Sequence, residues 1–198
     1  MNRHERGDGT RTRIMDAAET CFAQQGYNAT GVAEICERAG LSKGAFYHHF
    51  ASKQALFVEL LNRWLNRLES QWQGTPVLAA RVPDKLQAMA GTIGTIFRQA
   101  RGQLPIFLEF WTQAQRDPVL WEATIAPYHR FRSLFAAMVE EGIAQGDLNP
   151  VDPDLAAQVI VSLAVGLLLQ GLLDPEGADW AQSAQESVRL LLAGLGRR

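Results

Sequence analysis

Only two of the 198 residues are cysteines, Cys21 and Cys36, and both fall on apolar faces of helical patterns. A disulfide framework is excluded, and packed thiols in a reducing compartment are expected. No Cys/His cluster has zinc spacing. His48 and His49 are adjacent, so on a helix they diverge by about 100° and cannot serve one metal from one face. A phosphate loop and a dinucleotide fingerprint are also missing, so no metal or cofactor is expected. Neither charge sign dominates: 19 Lys and Arg stand against 21 Asp and Glu, a net −2. That argues against non-specific coating of nucleic acid. The most apolar run, Val159 to Leu173, is too short for a membrane span, contains Ser162 and Gln170, and reads as a buried helix. With no signal peptide at the start, a soluble, cytoplasmic chain without a membrane partner is expected.

What is present is helical. Apolar residues make up 47% of the chain, enough for a core. Period-3.6 patterns dominate, punctuated by Gly, Pro and Asp, and no strand pattern survives. The first helix is expected over Thr12 to Gln25, after a polar, frayed start in which Arg3, Arg6 and Arg11 lie near any bound polyanion. Short helices follow on either side of Gly40. A long one begins at Ser52, with Leu56, Phe57, Leu60, Leu61, Trp64, Leu65 and Leu68 on one stripe, and ends at Gly74-Thr75-Pro76. Further helices are expected over Pro83 to Ala100, Leu104 to Gln115, Pro118 to Gln145 with a kink at Pro127, Asp152 to about Leu172, and Glu176 to Leu195. The fold class is all-α, with about nine helices.

The segment Thr30 to Lys53, TGVAEICERAGLSKGAFYHHFASK, is the most informative. Val32, Ile35, Cys36 and Ala39 recur at helical spacing. Gly40 follows, where a chain leaving a helix often needs positive φ. Ser42 can cap the next helix, whose Phe46 and Phe50 point into one small core. Two helices joined by a short glycine-containing turn form the helix-turn-helix pattern, whose second helix enters the major groove. No acid lies between Arg38 and Lys53. Lys43 is a donor for guanine O6 or N7, and the Ala45 methyl suits a thymine methyl. Gly44 permits close backbone approach, while Tyr47, His48 and His49 offer donors to phosphates, which set register rather than sequence. Lys53, beside the capping Ser52, is placed to grip a phosphate.

The stretch from about Arg11 to Leu60 resembles the DNA-binding domain of TetR-type bacterial transcriptional regulators, over about a quarter of the chain. The resemblance rests on Ile14, Ala17, Ala18, Phe22, Gly26 and Tyr27, then Thr30, Val32, Ile35, Ala39-Gly40-Leu41-Ser42-Lys43-Gly44, Tyr47-His48-His49-Phe50, Ser52-Lys53 and Ala55-Leu56. Two positions depart from the family pattern. Gly31 stands where Ser or Thr commonly touches a phosphate, and Cys36 where a small residue, usually Ala, packs against the recognition helix. The expected DNA-binding set is thus Thr30, Gly31, Ser42, Lys43, Gly44, Ala45, Tyr47, His48, His49 and Lys53.

The rest of the chain has two features to place. Asp154 to Leu173 is apolar nearly all round, which calls for burial on more than one side. The last helix brings Trp180, Val188, Leu191 and Leu195 into register with Leu155, Val159, Leu163 and Leu167. The resemblance implies a two-fold homodimer through a four-helix bundle of the last two major helices, and closed two-fold symmetry is the commonest oligomer. Aromatics concentrate mid-chain. Phe97, Phe107, Phe110, Trp111, Trp121 and Tyr128, with Met89 and His129, are candidates for a small-molecule site, since such sites are apolar with a few placed polar groups. The resemblance implies an effector pocket in this region.

Gly40-Leu41-Ser42-Lys43-Gly44 also matches a hydrolase nucleophile elbow, but that elbow needs a preceding strand and a parallel sheet. Ser42 reads as a cap, and no catalytic residue is expected. The sequence leads to two parts: residues 1–53, an N-terminal three-helix DNA-binding domain, and residues 54–198, a C-terminal helical domain for dimerisation and effector binding. The expected partners are a double-stranded, pseudo-palindromic DNA operator, a second copy, and a small-molecule effector that releases the DNA.

Overall fold

The computed structural model describes the backbone of residues 3–73, 81–100 and 104–196, and their side chains except at 3–8, 68, 71–73, 93–100, 104, 105, 107 and 113. Nine helices run through the described residues: α1 (Arg3–Gln25), α2 (Val32–Ala39), α3 (Lys43–His49), α4 (Lys53–Gln73), α5 (Val82–Ala100), α6 (Leu104–Ala114), α7 (Pro118–Ala144), α8 (Pro153–Leu173) and α9 (Trp180–Leu195). The only β-type pairing among them is a single bridge, Leu148 with Gly196. The first helix starts at Arg3 rather than Thr12, passing through Gly7 and Gly9. Extending an existing helix costs far less than starting one. The last starts at Trp180 rather than Glu176, because Asp179 supplies the cap by accepting from the N–H groups of Ala181 and Gln182. Helix α7 continues through Pro127.

Contacts divide the chain into two compact units, Met1–Asn66 with Gly102–Thr124, and Arg67–Arg101 with Ile125–Arg198. The first unit reaches past residue 53 and takes in α6 from far along the chain. Its core joins Ile14, Ala18, Cys21 and Phe22 of α1 to Ile35 and Cys36 of α2, Phe46 of α3, Leu56 and Phe57 of α4, and Ile106 and Phe110 of α6. Four rings meet there. Phe57 stacks on Phe110 at 4.1 Å, and Tyr27 stands edge-on to both at 5.2 Å. Phe22 closes the cluster 5.3 Å from Tyr27.

The second unit is centred on Val82, Leu86, Phe135, Val139, Leu148, Ala156, Ala157, Ile160 and Val161, with Met89, Val188, Leu191, Leu192 and Leu195 packed against them. The chain end is tied in: Asn149 donates through its backbone N–H to Leu195 O and through its carboxamide to Gly196 O. Asp152 caps α8 by accepting from the N–H groups of Asp154 and Leu155. The 21 residues of α8 make it long and apolar enough to cross a membrane. The apolar run is therefore not too short for that, since the helix starts before Val159. One side of α8 instead belongs to the unit's own core, through Ala156, Ala157, Ile160 and Val161. The other side is bare: Leu155, Val159, Val165, Leu169 and Leu173 are exposed, as is Leu190 of α9. Burial on more than one side is thus not achieved within a single chain.

Candidate nucleic-acid interface

Helix α2 ends because Gly40 adopts φ 63°, ψ 42°, a left-handed conformation. The N–H of Leu41 donates to Cys36 O at 2.9 Å and that of Gly40 to Glu37 O at 3.0 Å. This is the paired pattern of a Schellman cap, with Leu41 folding back onto the core. Arg13 of α1 donates to Ala39 O, and a Cβ on Gly40 would lie 3.3 Å from that guanidinium. The bend is therefore set both by φ and by close approach. Ser42 then caps α3, its hydroxyl accepting from the Ala45 N–H at 3.2 Å.

These constraints fix which way α3 faces. Phe46 is fully buried and Phe50 nearly so. Ser42, Lys43, Gly44, Tyr47 and His48 are exposed, and Ala45 and His49 are half-buried. Tyr47 is 56% exposed although it is a large aromatic. Lys43 has no hydrogen bond or ion pair among the described residues. A Cβ on Gly44 would meet nothing closer than Ser42 Oγ at 3.7 Å, so no internal contact demands glycine there. Gly31 is the N-cap of α2 with no side-chain cap and open space around it, which leaves the first N–H groups of α2 to solvent or a phosphate.

Three expected contacts turn out differently. Thr30 is fully buried, and its hydroxyl donates to Gly26 O at 2.8 Å. Its side chain closes a turn inside the protein and does not reach DNA. Lys53 donates to Tyr27 O at 2.8 Å and Thr30 O at 2.9 Å, with its ammonium 4.3 Å from the Tyr27 ring centroid. An ammonium has three donors, and two of them act within the fold. Burial lowers the Lys53 pKa, opposed by the Glu109 carboxylate. Arg11 is held by Glu59 at 2.8 Å and lies over the Phe50 ring, while Arg3 and Arg6 fall outside the described side chains.

Sequence reasoning missed Glu109 of α6 in this setting. Its carboxylate accepts from the Tyr27 N–H at 2.9 Å and the Asn28 N–H at 2.7 Å. No local pattern signals a contact across so many residues. Burial, helped by the Glu109 charge, pushes the Tyr27 phenol from 10.0 up to about 12. A proton held more tightly in the fold gives stability that is complete below pH 10 and is lost as pH rises through 12. Urea midpoints of the unaltered chain should therefore fall between pH 10 and 12 more steeply than those of Tyr27→Phe; parallel profiles would refute the assignment. Both thiols are enclosed, Cys21 fully, and burial raises the Cys36 pKa.

Residues 14–60 match the family model of bacterial regulatory proteins of the tetR family, and residues 82–197 match that of the C-terminal part of BetI-type transcriptional repressors. The chain belongs to the TetR family. Members of the TetR family are transcriptional regulators rather than enzymes, and this chain is a DNA-binding regulator of the helix-turn-helix type. Relatives include the HTH-type transcriptional regulator UidR of Escherichia coli, 24% identical over 94% of this chain and 92% of its own. The HTH-type transcriptional repressor KstR2 of Rhodococcus jostii is 28% identical over 75% of this chain and 72% of its own. The TetR fold here is shared with a regulator from Saccharomonospora viridis solved in complex with choline, with a TM-score of 0.79, 21% identity, and coverage of 96% of this chain and 100% of that one.

The remaining sequence-derived candidates are distributed as follows. Phe110 is fully buried in the first unit's core, and Trp121 packs against that core. Trp111 is 40% exposed. In the second unit Met89 packs on the core, while Tyr128 and His129 are exposed. The side chains of Phe97 and Phe107 lie outside the described residues. Of the residues expected at a dimer face, Leu155 and Val159 are exposed. Leu167 is buried against Ala184, with Leu163 and Trp180 packed beside them. Val188, Leu191 and Leu195 pack inward.

Proposed function

We propose that this TetR-family regulator is a homodimeric repressor acting in the cytoplasm, and that it reads a pseudo-palindromic operator through the outer face of α3. The observation that carries the reading is that face itself: Lys43, Gly44, Tyr47 and His48 lie exposed on an acid-free helix, above a buried Phe46. The dimer places two such helices one DNA turn apart, roughly 34–36 Å, to meet both half-sites. The exposed apolar side of α8, continued by Leu190 of α9, supplies the two-fold contact, as bare patches of this kind mark association surfaces. A small-molecule effector that prefers another helix arrangement shifts the population away from the DNA-binding state. The effector reading is supported by the Saccharomonospora viridis regulator of the same fold, solved in complex with choline. Repression follows from occupancy, since a dimer seated on a promoter blocks polymerase without further chemistry, and relatives of this chain are named repressors.

Lys43→Ala tests the reading surface. Selection from a random-sequence duplex pool should show relaxed preference at one base position per half-site, at a cost of about 1–3 kcal/mol. An unchanged preference profile removes Lys43 from the readout.

A further inference from the structure

The turn between α1 and α2, residues 26 to 31, is held from two sides by groups outside the helix-turn-helix. On its donor side the Glu109 carboxylate takes both the Tyr27 and the Asn28 N–H. On its acceptor side Lys53 donates to Tyr27 O and Thr30 O. Gly26 sits at φ +85°, and a Cβ there would come within 3.0 Å of Glu109 Oε2. Glycine thus both turns the chain and admits the carboxylate. Tyr27 is buried and Asn28 exposed; one carboxylate satisfies the N–H groups of both at once in charge-assisted bonds. The turn leads straight into Gly31, the N-cap of α2.

We propose that Glu109 is a positioning residue for operator binding: from α6 it holds the turn that sets how α2 and α3 leave α1, and it touches no DNA itself. The proposal rests on the reading that α3 meets DNA. It implies that the DNA-reading unit is completed by a helix encoded well beyond residue 60. Removing the carboxylate frees the turn, so in the unbound protein α3 samples a spread of orientations and must be re-ordered on binding, while the contacts it makes once bound stay intact.

The test uses the full-length chain and a duplex that the unaltered protein selects from a random-sequence pool. Four proteins are compared by fluorescence anisotropy over a salt series: unaltered, Glu109→Ala, Glu109→Gln and Lys43→Ala. Glu109→Ala should weaken binding about ten- to hundredfold, roughly what one hydrogen bond to a charged group contributes, since part of the loss falls on the fold rather than on binding. Its salt slope and base preference should be unchanged, because no phosphate or base contact is lost. Glu109→Gln keeps an acceptor oxygen and should fall between the two. Amide exchange should quicken at Tyr27 and Asn28 in the alanine variant but not at Phe46. Affinity of Glu109→Ala within twofold of the unaltered chain overturns the proposal, as does a changed base preference. Should the alanine variant fail to fold, the glutamine variant decides: weaker binding supports the role, and equal binding refutes it. A silent Lys43→Ala would sink the reading of α3 instead, so the two failures are separable.

Discussion

Leu169→Asp is expected to leave a folded monomer that no longer holds its operator. Leu169 lies on the bare side of α8 with Leu155, Val159, Val165 and Leu173, and is 43% exposed in the single chain. A surface substitution of that kind changes the stability of one chain by only about 0.5 kcal/mol. In a two-fold interface the same change appears twice, and each new carboxylate is buried without a partner. At about 3 kcal/mol per uncompensated charge, the pair costs roughly 6 kcal/mol, a loss of about four orders of magnitude in association. Sedimentation should give a monomer at concentrations where the unaltered chain is dimeric, and operator binding should fall with it because half-sites are no longer engaged together. A variant that remains dimeric would place the two-fold contact elsewhere.

Phe110→Ala should remove about 3–5 kcal/mol of stability, the usual cost of truncating a buried phenylalanine. Its ring is fully buried, stacked at 4.1 Å on Phe57 and edge-on to Tyr27. The cavity would open in the middle of the first unit, where Tyr27 anchors the turn held by Glu109. Urea denaturation monitored by circular dichroism measures the loss. The result also decides what kind of residue Phe110 is. An effector-lining phenylalanine would lose ligand response with little change in stability; a core phenylalanine loses stability first.

The helix-turn-helix was legible because its determinants are local. The Gly40 bend, the Ser42 cap and the alternation of Phe46 and Phe50 with Lys43 and Tyr47 are each settled within a few residues, and the structure reproduces all of them. Lys53 was harder to place for the opposite reason: Tyr27 O and Thr30 O become its neighbours only once α4 packs against the α1–α2 turn. Thr30 bonds locally to Gly26 O, a turn closure that spacing alone does not distinguish from a solvent-facing hydroxyl. Glu109 is a stronger case, since its partners come from the other end of the first unit. The face of α8 was misread by geometry. Steps of four residues from Leu155 through Val159 and Leu163 to Leu167 advance about 40° each beyond a full turn. By Leu167 the stripe has therefore rotated into the core. Mixed steps of three and four, reaching Val165, Leu169 and Leu173, follow the exposed side. The aromatic segment could not be resolved from spacing, because core rings and site-lining rings obey the same period.

The enclosure of Cys21 and Cys36 has a practical side. Cys21 is wholly inaccessible and Cys36 is 3% exposed, with its thiol held in the less reactive protonated form. A single cysteine introduced at exposed Gln54 would therefore be the thiol that a maleimide dye or nitroxide reaches first. The native sulfurs can stay in place, and the gap between two reporters, one per copy, becomes a ruler for the separation of the reading helices with and without effector.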